Sequence, residues 1–285
     1  MAIAKSATYH RSVSHNEKSK MKRNLIDKSE VENPEGQGII SVRQKSGYKA
    51  LFVNEKFHFA EWPLGTPTVD FFYKICELNI ELPELNEFQR ETRDFKVDDK
   101  SIIKRIANPI LHLMEVGTYE IELYQDLSEE IHYHFDRTQF NKNENPILKQ
   151  FADKWWNKKE IEVLQMERVI DHPLEKTIDQ YYSSWQEDYS YYLASQSIKT
   201  IDFELVEQYI KEIGNGSKPL IIVTDYSIIL DGHHKAIAYT ITNTKPYILR
   251  IRNTKNKMLG KNSIEEIKAV LGSDEFEHLI KEYEE

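Results

Sequence analysis

Residues 197–251 read SIKTIDFELVEQYIKEIGNGSKPLIIVTDYSIILDGHHKAIAYTITNTKPYILRI, and the rest of the chain is interpreted outward from this stretch. Its apolar spacing predicts a short strand at the start, then a helix over about 203–213 that stops at Gly214-Asn215-Gly216. A strand over 219–223, a tight turn at Asp225-Tyr226 and a second strand-like run over 227–230 follow. Asp231-Gly232-His233-His234-Lys235 then leads directly into an alanine-containing helix over about 236–241, and a final strand runs from about 247 to 251.

This order puts Asp231 at or near a helix N-cap. A helix N-terminus presents free N–H groups and a partial positive charge, so it accepts an anion such as phosphate without a dedicated side chain. Gly232 permits close backbone approach, while His233, His234 and Lys235 add donors and positive charge. Adjacent histidines cannot face the same way on a helix, so at most one of them points at a shared ligand, and His233, nearer the helix start, is preferred to His234. The plain alternative is that Asp231 only caps its helix and both histidines are solvated surface. Phosphoryl transfer needs a phosphate cradle, usually a magnesium ion, and a base for the attacking hydroxyl. Asp231 is a carboxylate able to help hold a hydrated magnesium ion, and Asp202 and Glu204 are acids just upstream.

The helix, the Pro219-Leu-Ile-Ile-Val strand and Ile229-Leu-Asp-Gly-His-His-Lys before a small-residue helix resemble the ParB/sulfiredoxin superfamily. The match covers about residues 196–255 and is nearest to members with an Asp-Gly-His-His motif, as in free serine kinases and ParB-like nuclease domains. The resemblance implies nucleotide handling: Asp231, Gly232, His233, His234 and Lys235 would grip phosphates, and an early acid, Asp202 or Glu204, would act on a substrate hydroxyl. It further implies ATP or ADP (or CTP) with Mg2+ as cofactors, and a small hydroxyl compound as substrate. Lys235 stands where the family usually has arginine, and lysine lacks the planar fork that grips phosphate bidentately. The sulfiredoxin branch places a reactive cysteine in this motif. Here histidines occupy that region and the one cysteine is Cys76, so sulfinic-acid repair is disfavoured.

The chain has 285 residues, room for about two domains. With 40% hydrophobic residues it is too apolar for wholesale disorder. Thirty-eight basic against 47 acidic residues give −9, which argues against a chain that coats nucleic acid, although a local basic patch stays open. One cysteine allows no intramolecular disulfide and no thiolate zinc finger. No run approaches the roughly 18 apolar residues of a membrane span and no signal peptide is recognisable, so a cytoplasmic protein without membrane contact is expected.

Residues 1–38 are polar and aperiodic, basic up to Lys28, and close on Asn33-Pro34-Glu35-Gly36-Gln37-Gly38, which reads as a turn-rich linker after a flexible basic tail. From residue 39 the pattern is strand-like, with one alternating run over 48–59. Thr68 suits an N-cap for a helix through Val69, Phe72, Ile75 and Cys76. Gly117-Thr118 reads as a hairpin between strands at 111–116 and 119–124, with a third strand over 130–135. Residues 146 to about 195 look helical and aromatic, with one helix carrying Ile147, Phe151, Trp155 and Trp156 and a second over Tyr181 to Leu193. His132 and His134 share one face of their strand and could ligate a metal, but no third ligand is identifiable. Arg250, Arg252, Lys255, Lys257 and Lys261 form a basic cluster, open to phosphate or DNA, and short helices are expected over 263–285.

The expectation is therefore an α+β protein in three parts: a tail (1–38), a mixed α+β domain of unknown role (39–195), and a ParB/sulfiredoxin-like α/β domain with C-terminal helices (196–285). Its expected function is a nucleotide-dependent phosphotransferase or nucleotide hydrolase, an ATP/ADP-dependent kinase or NTPase. The alternative is a non-enzymatic nucleotide- or DNA-binding module of a phage or mobile element, or a nuclease-like one.

Overall fold

The computed structural model describes residues 23–45, 48–65, 68–74, 92–93, 95, 100–128, 131–134, 145–156, 178–184, 190–196, 198–224, 227–255, 257–258 and 260–271. Two sheets and five α-helices make an α+β fold among these residues, as the sequence implied.

The first sheet has seven strands in the order β1 (Arg23–Asn33), β6 (Gly117–Asp126), β12 (Tyr247–Asn253), β10 (Leu220–Thr224), β11 (Ile228–Asp231), β9 (Ser190–Ala194) and β7 (Ile131–His134). Both pairs formed by β6 are antiparallel, β10 runs parallel to β12 and antiparallel to β11, and β11, β9 and β7 are mutually parallel. The second sheet orders β13 (Lys257–Met258), β2 (Ile40–Lys45), β3 (Tyr48–Val53), β4 (Lys56–Gly65), β5 (Thr68–Lys74) and β8 (Ile178–Ser184).

Every residue of β10 is buried, which its unbroken LIIVT run requires of a strand covered on both faces. Leu220 and Ile222 enter one core with Ile106, Ile110 and Leu111 of α1 (Lys100–Leu113) and with Ile40 and Leu51 of the second sheet. Ile221 and Val223 enter the other core, with Phe151 of α2 (Pro146–Trp156), Val206 and Tyr209 of α3 (Phe203–Gly214) and Ala236 and Ile237 of α4 (His233–Thr242). The seven-stranded sheet is thus covered by α2, α3 and α4 on one face, and by α1 and the second sheet on the other. A fifth helix, α5 (Lys261–Leu271), docks on the second sheet, where the Phe57 N–H donates to Glu266 Oε1 at 2.8 Å.

The boundary expected near residue 196 divides neither sheet. The first mixes β1, β6, β7 and β9 with β10, β11 and β12, and the second pairs β13 with β2. The tail expected through residue 38 is also corrected from Arg23 onward, because β1 pairs along its length with β6, and Ile26 and Val31 pack on the core. Residues 1–22 lie outside the described residues. The Asn33–Gly38 turn is no linker: it closes the C-terminal end of α1. Asn33 Nδ2 donates to the carbonyls of Leu111 (2.6 Å) and Glu115 (3.0 Å), and the Gln37 and Gly38 N–H groups donate to those of His112 and Met114.

Other local expectations yield to longer-range pairing. The alternating run over 48–59 folds back at Asn54 and Glu55, both left-handed with φ of 51° and 61°. Thr68 opens β5 instead of a helix, consistent with the strand propensity of TVDFFYK. Leu111 to Leu113 finish α1, whose buried Ile103, Ile106, Ala107 and Ile110 follow helical spacing, so no hairpin forms at Gly117-Thr118. Residues 146–156 are helical, but β8 and β9 replace the second helix: Tyr192 and Leu193 face opposite cores, a strand's alternation. The opening strand near residue 197 is a 3₁₀ turn, Ile198–Thr200. The strand expected over 130–135 forms as β7, although the side chains of His132 and His134 lie outside the described residues. Cys76, Asp225, Tyr226 and residues 272–285 lie outside them too.

Candidate functional site

The order predicted for residues 203–251 is the order found: α3, β10, β11, α4, β12. Asp202 caps α3, its Oδ1 accepting from the N–H groups of Glu204 (2.9 Å) and Leu205 (3.2 Å). Glu204 is exposed in the first turn. The cap of α4 is Gly232 and not Asp231, and it makes no side-chain cap bond. Its φ of 104° is left-handed, and an added Cβ would lie 3.2 Å from the Ile221 Cα, so only glycine fits the turn without strain. The N–H groups of the first helical turn therefore receive no side-chain oxygen from their own cap.

The two helix N-termini meet. The Asp202 N–H donates to His234 Nε2 at 3.0 Å, which brings Asp202 and Glu204 beside the Asp-Gly-His-His-Lys segment. Because Nε2 accepts, a neutral His234 carries its proton on Nδ1. Burial lowers the His234 pKa, outweighing the attraction of Asp202 and Asp231.

His233 and Lys235 occupy different positions from those expected. His233 turns inward: Nε2 accepts from the Ser195 N–H at 3.1 Å, and His58 Nε2 of β4 lies 3.2 Å from the Ser195 carbonyl. Burial, helped by neighbouring His234, His58 and Lys235, holds the His233 pKa down at about 3, so this side chain is a neutral acceptor at ordinary pH. The preference for His233 over His234 as the ligand-facing histidine is thereby reversed. Lys235 is buried as well, with Nζ donating to Asp231 Oδ2 (2.7 Å), Thr92 Oγ1 (2.8 Å) and the Leu220 carbonyl (3.1 Å). It offers no donor to a phosphate, and it engages the Asp231 carboxylate.

Ser195, His58 and Thr92 were not singled out from sequence. Ser195 Oγ donates to the Ile229 carbonyl at 2.6 Å and is buried, which makes it a structural hub and not a nucleophile. Among the described residues no group of three or more His, Cys, Asp or Glu is placed to hold a metal ion. No helix among them is long and apolar enough to cross a membrane.

The basic cluster after Tyr247 is partly neutralised. Arg250 pairs with Glu122 and Arg252 with Glu120, while Lys28 of β1 bonds both glutamates. These are cross-strand contacts, with Lys28 and Arg250 both in register with Glu122. The Lys28 bond holds the Glu120 pKa low.

No family model matches the chain, nor does any curated protein or solved structure.

Proposed function

We propose that the chain binds a nucleotide, ATP, ADP or CTP, and that backbone N–H groups in the first turn of α4 receive its phosphates. The observation that carries this reading is the junction of α3 and α4, where Asp202 and Glu204 stand beside an uncapped helix start reached through a left-handed glycine. The resemblance to the ParB/sulfiredoxin superfamily, carried by the same segment, points the same way. On this reading the phosphate contact is made by backbone, with His234 at its edge, while Asp231, His233 and Lys235 hold the turn in shape. Mg2+ would enter with the nucleotide and offset phosphate charge beside the two exposed acids. The activity that follows is phosphoryl transfer to a small hydroxyl or to water, with Glu204 or the second oxygen of Asp202 orienting the attacking hydroxyl.

A non-catalytic nucleotide sensor is the second reading. It is favoured by the commitment of Asp202 Oδ1 to capping α3, which limits that carboxylate as a base. A DNA-binding role has less support, since Arg250 and Arg252 are engaged by glutamates.

The test is titration of the purified protein with ATP, ADP and CTP, with and without Mg2+ and free serine, read by calorimetry and by product analysis. Binding with turnover supports the transferase, and binding without turnover supports the sensor. No binding of any of the three nucleotides refutes both.

A further inference from the structure

Lys235 carries a charge into the interior. Its side chain is 3% exposed, and the three ammonium hydrogens face three acceptors from three places in the fold. Asp231 ends β11, Leu220 begins β10, and Thr92 lies 143 residues upstream, fully buried. The residues beside Thr92 are anchored around the same lobe. Arg93 Nε donates to Glu212 Oε2 of α3 at 3.0 Å, and the Phe95 ring lies 6.1 Å from that of Tyr247 on β12. Thr92, Arg93 and Phe95 thus touch α4, α3 and β12 respectively, the elements that frame the motif.

The turn leading into α4 packs on the same lysine, since a Cβ on Gly232 would meet Lys235 Cδ at 3.3 Å. Burying an ammonium group carries a desolvation cost, and an apolar side chain of similar volume would fill the space without it. What the charge adds is direction. It links the carboxylate on one side of the turn to a fixed hydroxyl on the other.

We propose that Lys235 is a positioning residue and Thr92 its anchor, together setting the angle at which the first turn of α4 meets the N-terminus of α3 at His234. A contact made by the first half of the chain then tunes the phosphate-receiving geometry. The part of this inference that concerns affinity rests on the nucleotide reading; the part that concerns the turn does not.

The experiment compares wild type, Thr92→Val, Thr92→Ser and Lys235→Arg by two readouts: amide hydrogen exchange in the α4 first turn against β10, and Kd for Mg-ADP. Thr92→Val is expected to speed exchange at residues 236–238, whose N–H groups bond back onto the first turn, about tenfold while β10 is unchanged. It should also raise Kd about tenfold, with Thr92→Ser restoring both. Lys235→Arg should weaken binding at least as much, because the guanidinium fork does not fit a site shaped for an ammonium. Wild-type exchange in Thr92→Val overturns the proposal. So does wild-type affinity in Lys235→Arg with Thr92→Val silent, which would make Lys235 a direct phosphate ligand. Faster exchange in Thr92→Val alongside no nucleotide binding by wild type supports the anchor and overturns the nucleotide reading instead. Where Thr92→Val does not fold, Asp231→Asn/Lys235→Met removes the pair at nearly constant volume and is read the same way.

Discussion

Replacing His233 by glutamine should flatten the acid sensitivity of this protein. In the unfolded chain the imidazole takes up its proton near pH 6.5, whereas in the folded state burial delays protonation to about pH 3. Below pH 6.5 the unfolded state therefore binds more protons than the folded one. The stability tied to this group is complete above about 6.5 and is lost as pH falls toward 3. With these two values the loss between pH 7 and pH 5 is about 2 kcal/mol, and by pH 4 about 3 kcal/mol. Glutamine places an amide oxygen near the position of Nε2, so it accepts from the Ser195 N–H without titrating. Urea unfolding at pH 7, 6 and 5 measures the effect. Wild type should lose about 2 kcal/mol from this site over that range beyond what His233→Gln loses, and the variant should give up no more than about 1 kcal/mol at pH 7. The lowered pKa of His234 acts in the same direction and persists in the variant, so some sensitivity remains. Equal losses in the two proteins would refute the argument that His233 is a buried neutral acceptor.

Asn33→Ala removes both bonds at the end of α1, but the Leu111 carbonyl keeps the Met114 N–H and the Glu115 carbonyl keeps the Tyr119 O–H, so equilibrium unfolding should show a loss of only about 1 kcal/mol. Gly232→Ala forces a left-handed φ on alanine and drives its Cβ toward Ile221; a loss of about 1–3 kcal/mol is expected from the thermal midpoint, with Gly214→Ala, where the space is open, as a mild control. Glu120→Gln/Glu122→Gln frees Lys28, Arg250 and Arg252, so retention on a DNA column should rise and become salt-sensitive; unchanged retention would mean that the ladder does not mask these cations.

Sequence was most informative where local pattern and tertiary demand coincide. From α3 to β12 the apolar runs are short, separated by Gly214-Asn215-Gly216 and Asp231-Gly232, and each lands within a few residues of its predicted place. Legibility fails where a partner strand decides. The segments TVDFFYK and SYYLA carry apolar residues that suit either a helix or a strand, and pairing with β4 and β8, or with β7 and β11, settles them. β1 reads as a charged tail because its best partner, β6, lies about ninety residues away and brings the glutamates that neutralise Lys28. The site divides the same way. Helix boundaries put Asp202 and the Asp-Gly-His-His-Lys segment at two helix starts, but did not say that these starts meet. That Lys235 and His233 turn inward was not legible, because Thr92 and Ser195, which receive them, leave no signal in a single sequence.

The strand order of the larger sheet has a consequence for how the chain comes to be folded. β6 lies between β1, which precedes it, and β12, which begins at Tyr247, more than 120 residues later. During synthesis β6 therefore waits with one edge unpaired, and Ile121, Leu123 and Tyr124 wait for cores that β10, β11 and α4 complete. Such late, non-local closure makes folding slow and leaves a sticky intermediate exposed. A fragment ending near residue 195 is thus half of a sheet, and a larger share of it than of the full chain should collect in inclusion bodies under the same expression conditions.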